Sequence, residues 1–313
     1  MMKSLRENIE NRDNKIRTLT VLSIYITTAL VILITIALLV TLSITHADRT
    51  PNVIGGESGG EGEFVCSYSD TKKGDLLIVN KNSAAFDFTA NTESRLVSMT
   101  NEIPSADGTP LYSLRNADMK ASRAALTALN KMIEDFYAQS NNKAAATKLY
   151  IWSAYRSLDA QNALGTSTKG GYSDFHTGNL FEITYDNSST SISQNNAYDW
   201  LFQNAYKYGF IMRYPEAKSS ITGVSDFDNA FRYVGIVHAT YMYEMGLCLE
   251  EYVSSLRSYT ETSPLYISVD GTIYEVYYMS ASVEGETVIK TNFKNGTTIS
   301  GDNAGGFIVT VKQ

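Results

Sequence analysis

His176 and Glu182 are the one histidine and carboxylate of this chain set at a spacing that suits a shared metal ion. They lie in Tyr172-Ser173-Asp174-Phe175-His176-Thr177-Gly178-Asn179-Leu180-Phe181-Glu182-Ile183, just after the turn-forming pair Gly170-Gly171. Imidazole nitrogen and carboxylate oxygen are the ordinary protein ligands of a catalytic zinc ion. The other histidines suggest less: His238 falls inside a helical pattern, and His46 ends an apolar run. The alternative for His176 is an ordinary hydrogen-bonded or surface histidine. The two cysteines, Cys66 and Cys248, form no C-x-x-C pair, which excludes a zinc ribbon. They read as two buried thiols, with a disulfide as the alternative outside the cytoplasm.

Several elements must position this stretch. An apolar run at 149–152 reads as a strand and leads into the polar turn Ser153-Ala154-Tyr155-Arg156-Ser157. Residues 180–183 read as a strand, and so do 76–79, 210–213 and 231–234. Leu126, Leu129, Ile133 and Phe136 recur at helical spacing, which predicts a helix over 118–138 with Asp118 at its start. Further helices are predicted over 197–208, stopped by Gly209, over 236–245, stopped by Gly246, and over 249–256. The tail alternates around Asp270-Gly271, a hairpin signal joining 265–269 to 272–279. A last strand is predicted at 307–311, after the turn-rich Ser300-Gly301-Asp302-Asn303.

Residues 19–44 contain no charged side chain. That run exceeds the ~20 residues needed to cross a bilayer. Five basic and three acidic residues precede it among residues 1–17, which places the N-terminus in the cytoplasm and the rest outside. The rival reading is a cleaved signal peptide ending near Thr45-His46-Ala47, but its apolar core is normally only ~7–15 residues. Gly and Glu dominate 48–63, so 45–63 reads as a flexible tether. The net charge of −7 argues against a nucleic-acid surface.

Ser153-Ala154-Tyr155-Arg156-Ser157-Leu158-Asp159-Ala160-Gln161 resembles the S-G-Y-R-S-x-x-x-Q segment of VanY-type D-alanyl-D-alanine carboxypeptidases. Asn204-Ala205-Tyr206-Lys207-Tyr208-Gly209-Phe210-Ile211-Met212-Arg213-Tyr214-Pro215 is similar to the family's N-A-x-x-Y-G-F-x-x-R-Y-P. Thr222-Gly223, Phe231-Arg232-Tyr233-Val234-Gly235 and Leu249-Glu250-Glu251-Tyr252 follow in family order, so the resemblance spans 74–256. It implies an α+β fold of the hedgehog/D-Ala-D-Ala-peptidase type, an antiparallel sheet with flanking helices, over 64–258. Residues 259–313 would form a small β-rich appendage. The family consists of zinc peptidases whose metal site is built from S-x-H-x-x-G-x-A-x-D and a later E-x-W-H before F-R-Y-V-G. Three protein ligands leave a zinc position open for water, and the Glu takes its proton.

The resemblance implies a degenerate site here. Phe175 stands at the first zinc histidine, Glu182 at the aspartate, Ala230 at the second histidine and Phe227 at the general base. Phenyl and methyl groups neither ligate zinc nor accept a proton. Shifted ligands, His176 with Glu182, and a base from Asp226 or Asp228 are the alternative. Arg156, with Tyr155, Ser153, Gln161 and Ser173, would line the substrate cleft, where a guanidinium can hold a carboxylate. A structural salt bridge is the other reading of Arg156, and a paired structural acid the other reading of Glu182.

The resulting expectation is a single-pass membrane protein with an extracytoplasmic peptidase-like domain, no cofactor and no catalytic base. It would bind peptidoglycan stem peptides or an envelope protein without cutting them. The alternatives are an active, divergent zinc D,D-carboxypeptidase and a structural spacer in an envelope complex.

Overall fold

The computed structural model describes Gly56–Glu57 and residues 62–139, 149–225, 227–292 and 296–313. The expected tail (1–18), the membrane span (19–44) and most of the tether (45–63) lie outside the described residues. Among the described residues no helix is long and apolar enough to cross a membrane.

In chain order the strands are β1 (Gly56–Glu57), β2 (Glu63–Ser67), β3 (Leu96–Ser98), β4 (Ser105–Ala106), β5 (Thr109–Pro110), β6 (Tyr112–Leu114) and β7 (Lys120–Ser122). Helix α1 (Arg123–Ala138), β8 (Leu149–Ser153), α2 (Leu158–Ala163), β9 (Leu180–Tyr185), α3 (Asp199–Asn204) and β10 (Phe210–Met212) follow. The chain continues through α4 (Ser219–Thr222), β11 (Ala230–Tyr233), α5 (Ile236–Met245) and α6 (Leu249–Leu256). It ends in β12 (Leu265–Val269), β13 (Thr272–Ser280), β14 (Glu286–Lys290), β15 (Thr297–Gly301) and β16 (Gly306–Lys312).

The central sheet runs β10-β11-β9-β8-β6. Strand pairs β10/β11, β11/β9 and β9/β8 are antiparallel, but β6 runs parallel to β8, so the sheet is mixed rather than wholly antiparallel as expected. The reason is the connection: α1 carries the chain back across the sheet between β6 and β8, as a parallel pair requires.

Alternation along the strands gives the sheet two different faces. Ile151, Phe181, Ile183, Phe210 and Phe231 point one way and pack with Leu126, Leu129, Ile133 and Phe136 of α1 and Leu201 of α3. Fully burying each such side chain contributes roughly 1.5–3 kcal/mol. Helix α1 starts later than expected. Ser122, not Asp118, is its N-cap, because Lys120–Ser122 is already committed to a strand beside β3; the Ser122 hydroxyl accepts from the Ala125 N–H at 3.3 Å. The helix expected over 197–208 is a short α3 between 3-10 turns at Asn196–Tyr198 and Ala205–Tyr208. It ends at Gly209, whose φ of +85° and close approach to Gly235 leave no room for a Cβ.

Residues 76–79 are not a strand. Leu77 and Val79 are buried against Phe86 instead, with one bridge from Val79 to Ala84. A short apolar run looks the same whether it pairs or packs.

The tail forms the sheet β12-β13-β16-β15. Its β12–β13 hairpin turns through Asp270 and Gly271, both at positive φ (49° and 79°), as a two-residue primed turn demands. The tail is packed into the body rather than appended to it. Leu265, Ile267, Val276 and Ile308 share a core with Ala239, Met242, Leu249, Tyr252 and Leu256 of α5 and α6, and β14 pairs with β2. The described residues belong to one compact unit.

Candidate binding cleft

The second face of the central sheet carries the candidate site. If Phe181 and Ile183 face the core, Leu180 and Glu182 must face the other way. Ala230 on β11 and Ser153 on β8 both stand opposite Glu182, which brings three separate sequence motifs together.

Arg156 is the centre of this face. Its Nε donates to Ser153 Oγ at 2.8 Å and its Nη1 to Gln161 Oε1 at 3.2 Å. Its Nη2 lies 3.7 Å from Glu182 Oε2, an ion pair without a direct hydrogen bond. Its guanidinium carbon sits 3.8 Å from the centre of the Phe175 ring. The Arg156 side chain remains 21% exposed and that of Glu182 15%. Burial pushes the Glu182 carboxyl above its usual range, against the pull of Arg156 and Arg115.

Phe175, Leu180, Tyr214 and Ala230 form one apolar cluster, with Val224 and Phe227 packed against it. Phe227 stacks on Tyr214 at 5.6 Å and lies 6.0 Å from Phe175. The positions corresponding to two zinc histidines and the general base therefore meet, as the resemblance requires, but as hydrocarbon. Among the described residues no group of three or more His, Cys, Asp or Glu side chains is placed to hold a metal ion. Glu182 is the single donor left, and it faces Arg156. This donor set does not fit the family's zinc.

His176 does not stand in as a shifted ligand. The segment is a 3-10 turn, Asp174–Thr177, rather than an extended strand. The imidazole is fully buried against Phe88 (4.9 Å) and Phe86 (5.9 Å). The Gly171 N–H donates to Nε2 at 3.0 Å, so Nδ1 carries the proton and donates to the Arg156 carbonyl at 2.7 Å. No lone pair is left for a cation. Burial also holds its pKa below the usual histidine value. The role of this side chain is to tie the Arg156 turn to the Gly171 turn. Asp228 accepts from the Ser193 hydroxyl, and Asp226 lies outside the described residues.

The remaining expected residues divide between the cleft and its surroundings. Ser153 and Gln161 are buried and orient Arg156. Ser173 is buried at the start of the 3-10 turn, where its carbonyl accepts the His176 N–H at 3.1 Å. Tyr155 turns elsewhere: its hydroxyl donates to Glu93 at 3.1 Å, and burial and that acid push its pKa up to about 12. Together with Phe88, Asn91, Glu93 and Ser157 it lines a separate groove of about 320 Å³.

Two contacts were not read from the sequence, although the residues of the first lie in its motifs. Asp174, fully buried, is shared by the guanidinium groups of Arg213 and Arg232, and Arg213 also makes a bidentate pair with Glu250 (2.7 and 3.0 Å). That pairing keeps Arg213 firmly charged and anchors the 3-10 turn under the cleft. Trp152 is the extra residue of a β-bulge, since Ile151 opposes Ile183 while Ser153 opposes the adjacent Glu182. Arg115, just beyond β6, lays its guanidinium 4.0 Å from the Trp152 ring centre.

A mixed sheet with helices over one face and an arginine-centred cleft on the other defines the peptidase-like α+β class that the motifs imply. A family model described as D-alanyl-D-alanine carboxypeptidase (VanY) matches residues 119–236. A D-alanyl-D-alanine carboxypeptidase of Enterococcus faecium is 28% identical over 262 residues, covering 82% of this chain and 81% of that protein. One from Enterococcus faecalis is 54% identical over 61 residues, 20% of this chain and 23% of that protein. A solved vancomycin-resistance D,D-dipeptidase, VanXYg, in complex with a D-Ala-D-Ala phosphinate analogue, matches with a TM-score of 0.67 and 26% identity. That match covers 82% of this chain and 100% of that one. The chain is thus similar to D-alanyl-D-alanine carboxypeptidases over most of its length, and its residues 119–236 match the VanY family model.

Proposed function

We propose that this protein acts at peptidoglycan as a non-catalytic member of its family, binding stem peptides through Arg156 without hydrolysing them. The observation that carries the reading is the replacement of a donor set by an apolar cluster. Phe175, Ala230 and Phe227 pack together where metal ligands and base belong, and Arg156 stacks on the first of them while facing Glu182. A guanidinium here supplies a fixed positive charge but neither a Lewis-acid water nor a proton acceptor. Its N–H groups not engaged by Ser153 and Gln161 are available to a peptide carboxylate.

The uncharged run 19–44 and its basic flank support a single-pass anchor with the domain outside the cytoplasm. The same surface could hold an envelope protein through an acidic C-terminus, and binding measurements separate the two partners.

The test is retention of the full-length protein on purified peptidoglycan, with D-alanine release followed in parallel. Wild type is expected to be retained without releasing D-alanine. Arg156→Ala is expected to lose about 2 kcal/mol of binding, roughly thirtyfold in affinity, the value of a charge-assisted hydrogen bond. Metal-dependent D-alanine release would establish the active-enzyme reading instead. Equal retention of both proteins would remove Arg156 from the site.

A further inference from the structure

We propose that Arg115, stacked on the bulge residue Trp152, is a second carboxylate-binding residue of the cleft, so that the preferred ligand is a peptide acid held between two guanidinium groups. The inference rests on the stem-peptide reading above and names a residue that no motif of the family resemblance contains.

Position comes first. Leu114 lies beside Ile151 in the parallel pair, and the Arg115 N–H continues that pairing by donating to the Ile151 carbonyl at 3.1 Å. Leu114 packs against the core, so the next side chain turns to the opposite face, where Glu182 lies. The bulge at Trp152 puts an indole under it. A guanidinium over an indole face at 4.0 Å is a cation–π contact that restricts the side chain without consuming its N–H donors.

Charge comes next. Among the described residues the Arg115 guanidinium has no hydrogen-bond or ion-pair partner, and the residue is exposed. Arg115 is close enough to bear on the ionisation of both Glu182 and Arg156. Two guanidinium groups against one carboxylate leave the cleft with one uncompensated positive charge. A single ligand carboxylate neutralises it, whereas a peptide amide offers no charge and gains little from either arginine. Arg156 is already oriented by Ser153 and Gln161, so Arg115 is the more adjustable partner and sets the preference for acid over amide.

The experiment measures binding of N-acetyl-D-alanyl-D-alanine and of its C-terminal amide to the full-length protein by calorimetry. The proteins compared are wild type, Arg115→Ala and the charge reversal Arg115→Glu. The side chain is exposed, so its loss leaves the core intact, and a thermal melt of each variant checks this. The expected result is that wild type binds the acid at least tenfold more tightly than the amide. Arg115→Ala should lose most of that ratio, and Arg115→Glu should lose acid binding altogether. An undiminished acid-to-amide ratio in Arg115→Ala overturns the inference and leaves the Arg156 reading standing. Equal weakening of acid and amide also overturns it, since the residue would then only shape the cleft. If wild type binds neither peptide, both readings fall together.

Discussion

At Phe175 the guanidinium of Arg156 rests on a ring where the family's first zinc histidine would stand, and it faces the one acid left from the ligand set. Positive charge is thus kept in the pocket while the metal's donors are gone. The resemblance puts Phe175, Glu182, Ala230 and Phe227 at the family's ligand and base positions, and the fold gathers Phe175, Ala230 and Phe227 into one apolar cluster. What spacing could not supply was the fate of His176. Its two nitrogens are taken by Gly171 and Arg156, backbone partners that only the fold brings near. His238 is buried in the same way, between Tyr252 (2.7 Å) and Thr310 (3.3 Å), and burial lowers its pKa to about 4. An unfolded histidine titrates near ~6.5. Between those values the unfolded chain binds a proton that the folded chain does not. Stability is therefore complete above the higher value and falls as pH drops towards the lower one, by about 3 kcal/mol in all. Urea denaturation across that window should show the slope in wild type and a flatter line in His238→Gln. Identical slopes would mean that other groups carry the acid sensitivity.

At the scale of elements, the 3-10 turn Asp174–Thr177 is held from below by charge. Asp174 is shared by two buried arginines, 39 and 58 residues further along the chain. Removing the carboxylate leaves Arg232 without its acid and Arg213 with Glu250 alone. Asp174→Ala should cost about 3 kcal/mol in chemical denaturation, the scale of a broken buried pair. A cost under ~1 kcal/mol would show the network to be replaceable. Elements that bury one periodic face were readable, as in α1, α6 and the β12–β13 hairpin. Residues 76–79 were not, because continuous hydrophobicity reports burial without reporting pairing. The buried ion network and the Arg115–Trp152 contact were hidden for a related reason: each joins residues far apart in the chain or across a bulge, and no local pattern encodes a partner at that distance.

Across the whole molecule, the tail is part of the body's core. Alternation along 265–269 and 272–279 gave away the strands, but not that their inner face covers α5 and α6. Strand β14 also pairs with β2, in the three-stranded sheet β1-β2-β14, so the tail is tied to the start of the domain as well. Ending the chain at residue 258 would expose Leu249, Tyr252, Val253 and Leu256 and strip β2 of β14, leaving it only the two-residue β1. The truncated protein should aggregate or lose its cooperative unfolding transition in a thermal melt. A soluble form with a sharp transition would mean that 259–313 is an independent appendage after all.

The central claim is that the cleft retains charge for holding a peptide but lacks the ligands for a metal that would cut it. Elemental analysis of zinc in the full-length protein, purified from zinc-supplemented cells and dialysed, tests this most directly. The account predicts zinc far below one ion per chain, unchanged in His176→Ala. One tightly held zinc per chain, lost in His176→Ala or Glu182→Ala, would contradict it.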